Sequence, residues 1–214
     1  YNSNIRQSLA MGIYGTDFIH MTIYKQLSNA YTYLDNINGL SKSLQVEEHL
    51  KYNDLSKLVK EGKNPDSILL LINLSYDRIN RSLIENDKSS YSVLISYATW
   101  IESLYLATNI KKITNVEEVY ARIGEQKNVL DNLFTLLNHF NNQTDFRELI
   151  IDLQLLRSEF DKVLITYQYK PPTTQEINGN LVIIDNSTSV VNINEQNIAE
   201  IAKIVAAIRN KIIS

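Results

Sequence analysis

The sequence of 214 residues contains no cysteine, which rules out disulfide bonds, thiol catalysis and cysteine-based zinc sites within this chain. Proline is almost absent too, with only Pro65, Pro171 and Pro172, and glycine is scarce at six residues. Because proline and glycine interrupt helices, a chain with so few of them favours a helix-rich fold.

Charge of one sign is not concentrated anywhere in the chain. The formal net charge is −3, and the 21 basic residues are mixed with 24 acidic ones. A nucleic-acid-binding surface usually shows itself as a block or patch of lysine and arginine, so we expect no nucleic-acid partner. No stretch approaches the roughly 20 apolar residues that a membrane-spanning helix needs.

Apolar residues at helical spacing are present over most of the chain. Residues 3–13 predict a short first helix that ends near Gly12 and Gly15, and residues 16–38 predict a long helix closed by Gly39. The segment 91–111 is apolar on nearly all sides, which is typical of a helix at the centre of a bundle. The other predicted helices cover residues 46–60, about 65–86, 115–139 and 144–167. The second and third of these are expected to begin at the N-caps Asn64 and Asn115.

The pattern changes after Pro171 and Pro172. The β-branched runs 181–185 and 190–194, separated by four polar residues, predict a β-hairpin at about 181–194. Residues 195–213 then predict a last amphipathic helix. Short connections place consecutive helices antiparallel. The sequence therefore predicts one domain over residues 1–214, an all-α antiparallel bundle of about seven helices with one small C-terminal β-hairpin.

Three charged residues fall on apolar helix faces. Glu102 lies within the most apolar helix, Lys127 interrupts an apolar stripe, and Asp17 lies on the face of His20. A buried charge without a partner is too costly to be common, so we predict a buried polar network of Asp17, Glu102 and Lys127, with a Glu102–Lys127 ion pair. The same network is compatible with an active site, but an ion pair that only supports the fold is favoured.

Nothing else in the sequence points to catalysis, a metal or a cofactor. Asp17 and His20 have the spacing of two metal ligands, but the other histidines, His49 and His139, are distant in sequence. The pair Gly12 and Gly15 lacks the lysine and the preceding strand of a phosphate loop. We therefore expect no metal, no cofactor and no enzymatic activity.

The chain is rich in tyrosine, with 13 residues. Tyr24, Tyr31, Trp100 and Tyr105 are candidates to line a groove for a sugar or an aromatic ligand. The alternative is that these side chains fill half-buried positions with their polar ends at the surface, as tyrosine often does. The alternative is favoured, since a buried tyrosine needs only one hydrogen-bond partner.

Four segments in a fixed order carry a family resemblance: GIYGTDF at 12–18, ATWIESLYLA at 98–107, IGEQKNVLDNL at 123–133 and IRNKII at 208–213. Together they resemble a family of uncharacterised Bacteroidetes proteins regarded as lipoproteins, over most of the chain. The resemblance implies a signal peptide and a lipid-modified cysteine upstream of Tyr1, but no activity. The family has small residues, often glycine, before the tryptophan, where this chain has Ala98 and Thr99.

The resemblance and the residues lead to three hypotheses of function. The first is a non-enzymatic, lipid-anchored domain of the cell envelope, in the periplasm or at the outer membrane, that serves as a scaffold or interaction module for an unknown protein or small ligand. The alternative is a helical small-molecule binding or sensor domain with a tyrosine-lined groove. The third is an enzyme that uses Asp17, Glu102 and Lys127, which would require a concave polar cleft uniting them.

Overall fold

The computed structural model describes residues 3–62, 64–110, 115–177 and 179–214. These residues form nine α-helices, one 3-10 turn and four short strands, so the predicted all-α bundle with a small C-terminal β-hairpin is confirmed. The helices are α1 (Asn4–Ile23), α2 (Leu27–Ser43), α3 (Tyr52–Lys60), α4 (Pro65–Glu85), α5 (Ser89–Thr108), α6 (Val116–Gly124), α7 (Gln126–Asn138), α8 (Thr144–Phe160) and α9 (Glu195–Ile213). The strands are β1 (Leu164–Gln168), β2 (Thr173–Ile177), β3 (Asn180–Ile184) and β4 (Thr188–Asn192).

Two hydrophobic cores share the central helices α1 and α5. One core lies among α1 to α5 and includes Met11 and Ile95. The other is formed by α1 and α5 to α9 and includes Leu9 and Leu94. Because neighbouring residues of α5 point into different cores, this helix must be apolar on nearly all sides. The prediction that residues 91–111 form a central helix is confirmed up to Thr108, and residues 111–114 lie outside the described part of the chain.

The predicted helix boundary at Gly12 and Gly15 is wrong, because α1 continues through both glycines to Ile23. A Cβ atom at Gly12 would lie 2.5 Å from the carbonyl oxygen of Ile95 and 2.8 Å from the Cβ atom of Ala98. Glycine therefore allows the backbones of α1 and α5 to approach closely, opposite the small residues that precede the tryptophan. The chain instead breaks at Lys25, where φ is +56°.

Gly39 does not end a helix either, since α2 runs to Ser43. The predicted helix at 46–60 is divided into a 3-10 turn, Glu47–His49, and α3. Leu44, Val46 and Leu50 are all buried around that turn. Three apolar side chains are therefore buried within seven residues. One continuous helix would turn part of this segment toward solvent, because its apolar stripe covers one face only, so the segment forms short turns instead.

The predicted helices 115–139 and 144–167 also differ from the observed ones. The first is divided at Glu125 into α6 and α7, next to Gly124, a residue of low helix propensity. The second ends at Phe160, and the chain enters β1 after Val163. Both predicted N-caps are confirmed, since the side chain of Asn64 accepts from the amide of Asp66 and Asn115 caps α6.

The strands form two antiparallel two-stranded sheets, in which β1 pairs with β4 and β2 pairs with β3, and we call the two sheets together the ribbon. The predicted strand 181–185 corresponds to β3, and the predicted strand 190–194 overlaps β4, which begins and ends two residues earlier. Their predicted pairing with each other is wrong. Their partners are β2 and β1, which precede them in the chain. The turn of the ribbon lies at Gly179, where φ is +77°, and Pro171–Pro172 separates β1 from β2, since proline cannot donate to a ladder.

Candidate functional site

The structure brings Asp17 and Glu102 together around a third residue, Arg209 of α9. Glu102 has no exposed surface, and its Oε2 accepts a hydrogen bond from Nε of Arg209 at 2.5 Å. The guanidinium of Arg209 lies over the ring of Tyr105, 4.5 Å from the ring centre. We call Asp17, Glu102 and Arg209 the buried ionic cluster, which joins α1, α5 and α9.

Burial raises the pKa of both acids in this cluster. Burial raises the pKa of the Glu102 carboxyl, and the charge of Asp17 raises it further, while the hydrogen bond from Arg209 lowers it. Burial also raises the pKa of Asp17, against the lowering effects of Arg209 and of the Tyr33 hydroxyl. A hydrogen bond between the two acid side chains lowers the pKa of Asp17 and raises that of Glu102. Two acids that face one cation most readily share a single proton.

This arrangement leads to a prediction for the pH dependence of stability. A carboxyl with a raised pKa in the folded state binds more protons when folded than when unfolded, so its contribution to stability is full below about pH 4 and is lost as the pH rises through the folded pKa. The loss is at most about 1.4 kcal/mol per pH unit for each extra proton. Asp17→Asn removes one acid and leaves Glu102 paired with Arg209, so the decline should become shallower.

The measurement is urea unfolding at several pH values between about 4 and 8. In the unfolded state the carboxyls of Asp17 and Glu102 titrate at the lower end of this range. The free energy of unfolding of the Asp17→Asn variant, minus that of the unsubstituted protein, should become more favourable as the pH rises. A difference that does not change with pH would show that Asp17 and Glu102 do not hold the extra proton.

Lys127 is not part of the cluster, and the predicted Glu102–Lys127 ion pair is wrong. Nζ of Lys127 donates to the carbonyl oxygen of Val163 at 3.1 Å and lies 3.8 Å from Oδ1 of Asp161. The prediction assumed one helix over residues 115–139, whereas the break at Glu125 places Lys127 at the start of α7. The polar cleft that the enzyme hypothesis required is therefore not formed by these three residues.

Arg209 was the residue that sequence reasoning missed. It is 107 residues from Glu102 in the sequence, and it follows Ile208 at the edge of the apolar stripe of α9. The sequence did offer a signal, since Arg209 lies four positions after the buried Val205 and therefore on the same side of the helix. The pattern of a single chain does not say which acid such a residue meets.

The four predicted groove residues have different neighbours and do not line one groove. The Tyr24 ring packs against His20 at the end of α1, and the Tyr31 hydroxyl lies 3.4 Å from that of Tyr52. Tyr105 lies under Arg209 of the ionic cluster. Of the four, Trp100 lines a groove along α5. The sequence shows which residues are aromatic, but it does not show how the helices pack. The side chains of these four residues lie in separate places because of that packing.

The groove around Trp100 has two adjoining parts along α5. The first, which we call the apolar pocket, has a volume of about 390 Å³. The second, which we call the polar trough, has a volume of about 430 Å³. Trp100, Ser103 and Gln126 line both parts, and Nε1 of Trp100 donates to Oε1 of Gln126 at 3.1 Å. The indole ring is thereby fixed where the two parts meet.

A second candidate surface is the ribbon. Its base packs on the helices, where Ile165 and Val191 lie against the core formed by α5 to α9. In β3, by contrast, Leu181 is 78 % exposed and Ile183 is 72 % exposed. We call β2 and β3 the ribbon tip. A two-stranded ribbon is marginally stable alone in water, so apolar side chains exposed at its tip are unusual.

Among the described residues, no group of three or more histidine and acidic side chains is placed to hold a metal ion. The same residues contain no helix that is long and apolar enough to cross a membrane. Comparisons with models of protein families, with curated proteins and with solved structures found no match to this chain.

Proposed function

We propose that this chain is a non-enzymatic interaction module of the cell envelope, held there by an upstream lipid anchor, and that it docks a partner protein through the ribbon tip. The observation that carries the proposal is the exposure of Leu181 and Ile183 in β3. Contiguous exposed apolar residues in a folded protein often mark an interaction site. A non-enzymatic role is supported by the ionic cluster, whose Glu102 has no exposed surface to offer a substrate.

The chemistry of the ribbon tip favours a protein partner that supplies a β-strand. Within the described residues, β2 and β3 pair only with each other, so each has an edge of backbone groups that another strand can pair with. The flanking charges are Lys170, Glu176 and Asp185. An excess of acidic groups disfavours an anionic lipid surface, which attracts basic segments.

A displayed peptide library tests the docking role without knowledge of the partner. Peptides selected on the unsubstituted protein should show alternating apolar residues and bind the Leu181→Thr/Ile183→Thr double variant at least about tenfold more weakly, as for a hot spot in an interface. Threonine keeps the β-propensity of the strand while removing apolar surface.

The matched control is the double variant Leu70→Gln/Leu74→Gln, which removes two exposed leucines from α4 instead. The selected peptides should bind it as they bind the unsubstituted protein. Peptides that bind all three proteins equally, or a selection that enriches no sequence, would contradict docking through the ribbon tip.

The proposed location rests on the family resemblance alone. It is tested by the native sequence upstream of Tyr1, where we expect a signal peptide and a cysteine suited to lipid attachment. If the native sequence upstream of Tyr1 holds neither a signal peptide nor such a cysteine, the envelope location is wrong. The docking proposal is tested separately by the peptide library.

The groove at Trp100 favours a second candidate function, a small-molecule binding domain. Grooves between helices of a bundle are common ligand sites, and volumes of about 300–1,000 Å³ are usual for them. Both parts of this groove fall within that range. The groove differs from the predicted one in that a tryptophan, not a set of tyrosines, stands at its centre.

A further inference from the structure

The lining of the polar trough carries no charge, and Ile19, Ile95 and Trp100 make part of it apolar. Three of its lining residues carry amides, Asn73, Asn80 and Gln126, and five carry hydroxyl groups, Ser96 and Thr99 among them. No charged residue is among the described residues that line it. Amides and hydroxyls both donate and accept hydrogen bonds. The hydroxyls of Thr16, Tyr76, Ser96 and Ser103 already donate to backbone carbonyl oxygens. Asn73, Thr99 and the NH2 group of Asn80 are left to bond to the hydroxyl groups of a ligand, and the lining offers no counter-charge to an ionic one.

The apolar pocket, which shares Trp100, Ser103 and Gln126 with the polar trough, is a different environment. Leu104, Ala107, Val119 and Ile123 line it together with the Trp100 ring. Apolar walls with few polar groups hold an apolar chain or ring by removing it from water. A ligand that occupies both parts must therefore be apolar at one end and rich in hydroxyl groups at the other.

The charges at the rim of the apolar pocket are already paired within the protein. Nη1 of Arg122 lies 3.0 Å from Oε2 of Glu125, and Oε2 of Glu118 accepts from Nδ2 of Asn115 at 3.1 Å. A charged ligand would have to compete with these local partners, and its head group would lose hydration in a trough without counter-charge.

From these contacts we propose that the groove binds a neutral amphiphile, with a hydroxylated head group such as a sugar in the polar trough and a short apolar chain in the apolar pocket. The inference rests on the second candidate function and is independent of docking through the ribbon tip. Trp100, which is 7 % exposed and is held by Gln126 at the junction, would contact the ligand through its exposed edge where the two parts meet.

The test uses the fluorescence of Trp100, which is the only tryptophan in the chain. The emission therefore reports on the groove and not on the ribbon. The probe is octyl β-D-glucoside below its micelle concentration, with octyl sulfate and octyltrimethylammonium as charged probes of the same chain length and glucose as the head group alone. The glucoside should change the emission saturably and bind about tenfold more tightly than each of the other three.

Two substitutions locate the binding. Ala107→Phe fills the apolar pocket and should weaken glucoside binding about tenfold, while Asn73→Leu removes an amide of the trough and should weaken it severalfold. Ala199→Phe places the same side chain on an exposed position of α9 and should change nothing. Thermal unfolding of each variant shows that the fold is retained.

The outcomes separate the ligand class from the binding role. If the three octyl compounds bind equally well and Ala107→Phe blocks all of them, the groove binds small molecules but the proposed head-group chemistry is wrong. If none of the probes changes the Trp100 emission, both the ligand class and the second candidate function are overturned. Glucoside binding that Ala107→Phe leaves intact would also overturn the inference.

Discussion

Arg209→Met is expected to lower the free energy of unfolding by about 3 kcal/mol, near the lower end of the range for removing one partner of a buried ion pair. Methionine keeps most of the length of the side chain and its contact with the Tyr105 ring, so the loss isolates the charge. Without the guanidinium, Glu102 is left with no cation and with Asp17 beside it. The small exposure of the arginine side chain, 19 %, places the expected loss toward the lower end.

The matched control is Arg157→Met. Arg157 also pairs with a carboxylate, that of Asp131 at 3.1 Å, and also lies over an aromatic ring, that of Phe134. Its side chain is 44 % exposed and that of Asp131 is 47 % exposed. An exposed ion pair contributes about 0–1 kcal/mol, so this variant should be close to the unsubstituted protein in urea unfolding.

A triple variant separates the charge effect from packing. Asp17→Asn/Glu102→Gln/Arg209→Met removes all three ionisable groups and should recover most of the stability lost in Arg209→Met alone, because neutral groups lose much less on burial than isolated charges do. If the three substitutions instead destabilise additively, the residues do not interact as a cluster. Adding Lys127→Met, which lies outside the cluster, should change neither the stability lost in Arg209→Met nor the stability recovered in the triple variant.

Local signals in the sequence predicted the helices well where they act over a few residues. Asn64 and Asn115 cap α4 and α6 as expected, because an N-cap is a contact between residues two or three positions apart. The segment around Leu94 was predicted to be central because it is apolar on all sides, and it enters both cores. These features require no knowledge of which helix is the neighbour.

Some errors were local, such as the helix ends placed at Gly12 and Gly39, but those that concern the candidate sites involve contacts between distant parts of the chain. Strand 181–185 was recognisable, but its partner was not, since β-branched residues show a strand without showing its neighbour. The partner of Glu102 lies 107 residues away on α9. The groove at Trp100 joins residues of α1, α4, α5 and α7, among them Thr16, Asn73 and Gln126. Common polar residues such as these carry no pattern before the helices are packed.

Gly12 is the clearest case of a residue whose role depends on packing, and it gives the second large expected effect. Gly12→Ala should lower the free energy of unfolding by about 2 kcal/mol, within the usual range for overpacking a core. The added Cβ atom would lie 2.5 Å from the Ile95 carbonyl oxygen and 2.8 Å from the Thr99 amide nitrogen. Both are backbone atoms, so only a separation of α1 from α5 can relieve the contact.

Gly39→Ala is the matched control, because it makes the same substitution within α2 at a position with nothing within 4 Å of the added Cβ atom. Alanine has a helix propensity about 1 kcal/mol more favourable than glycine, so this variant should be more stable than the unsubstituted protein. The same propensity gain applies at Gly12, and the expected loss there arises because the contact with α5 outweighs it. Two glycines in helices should therefore respond to one substitution with opposite signs in urea unfolding. Equal stabilisation at both positions would mean that α1 and α5 are farther apart than the structure has them.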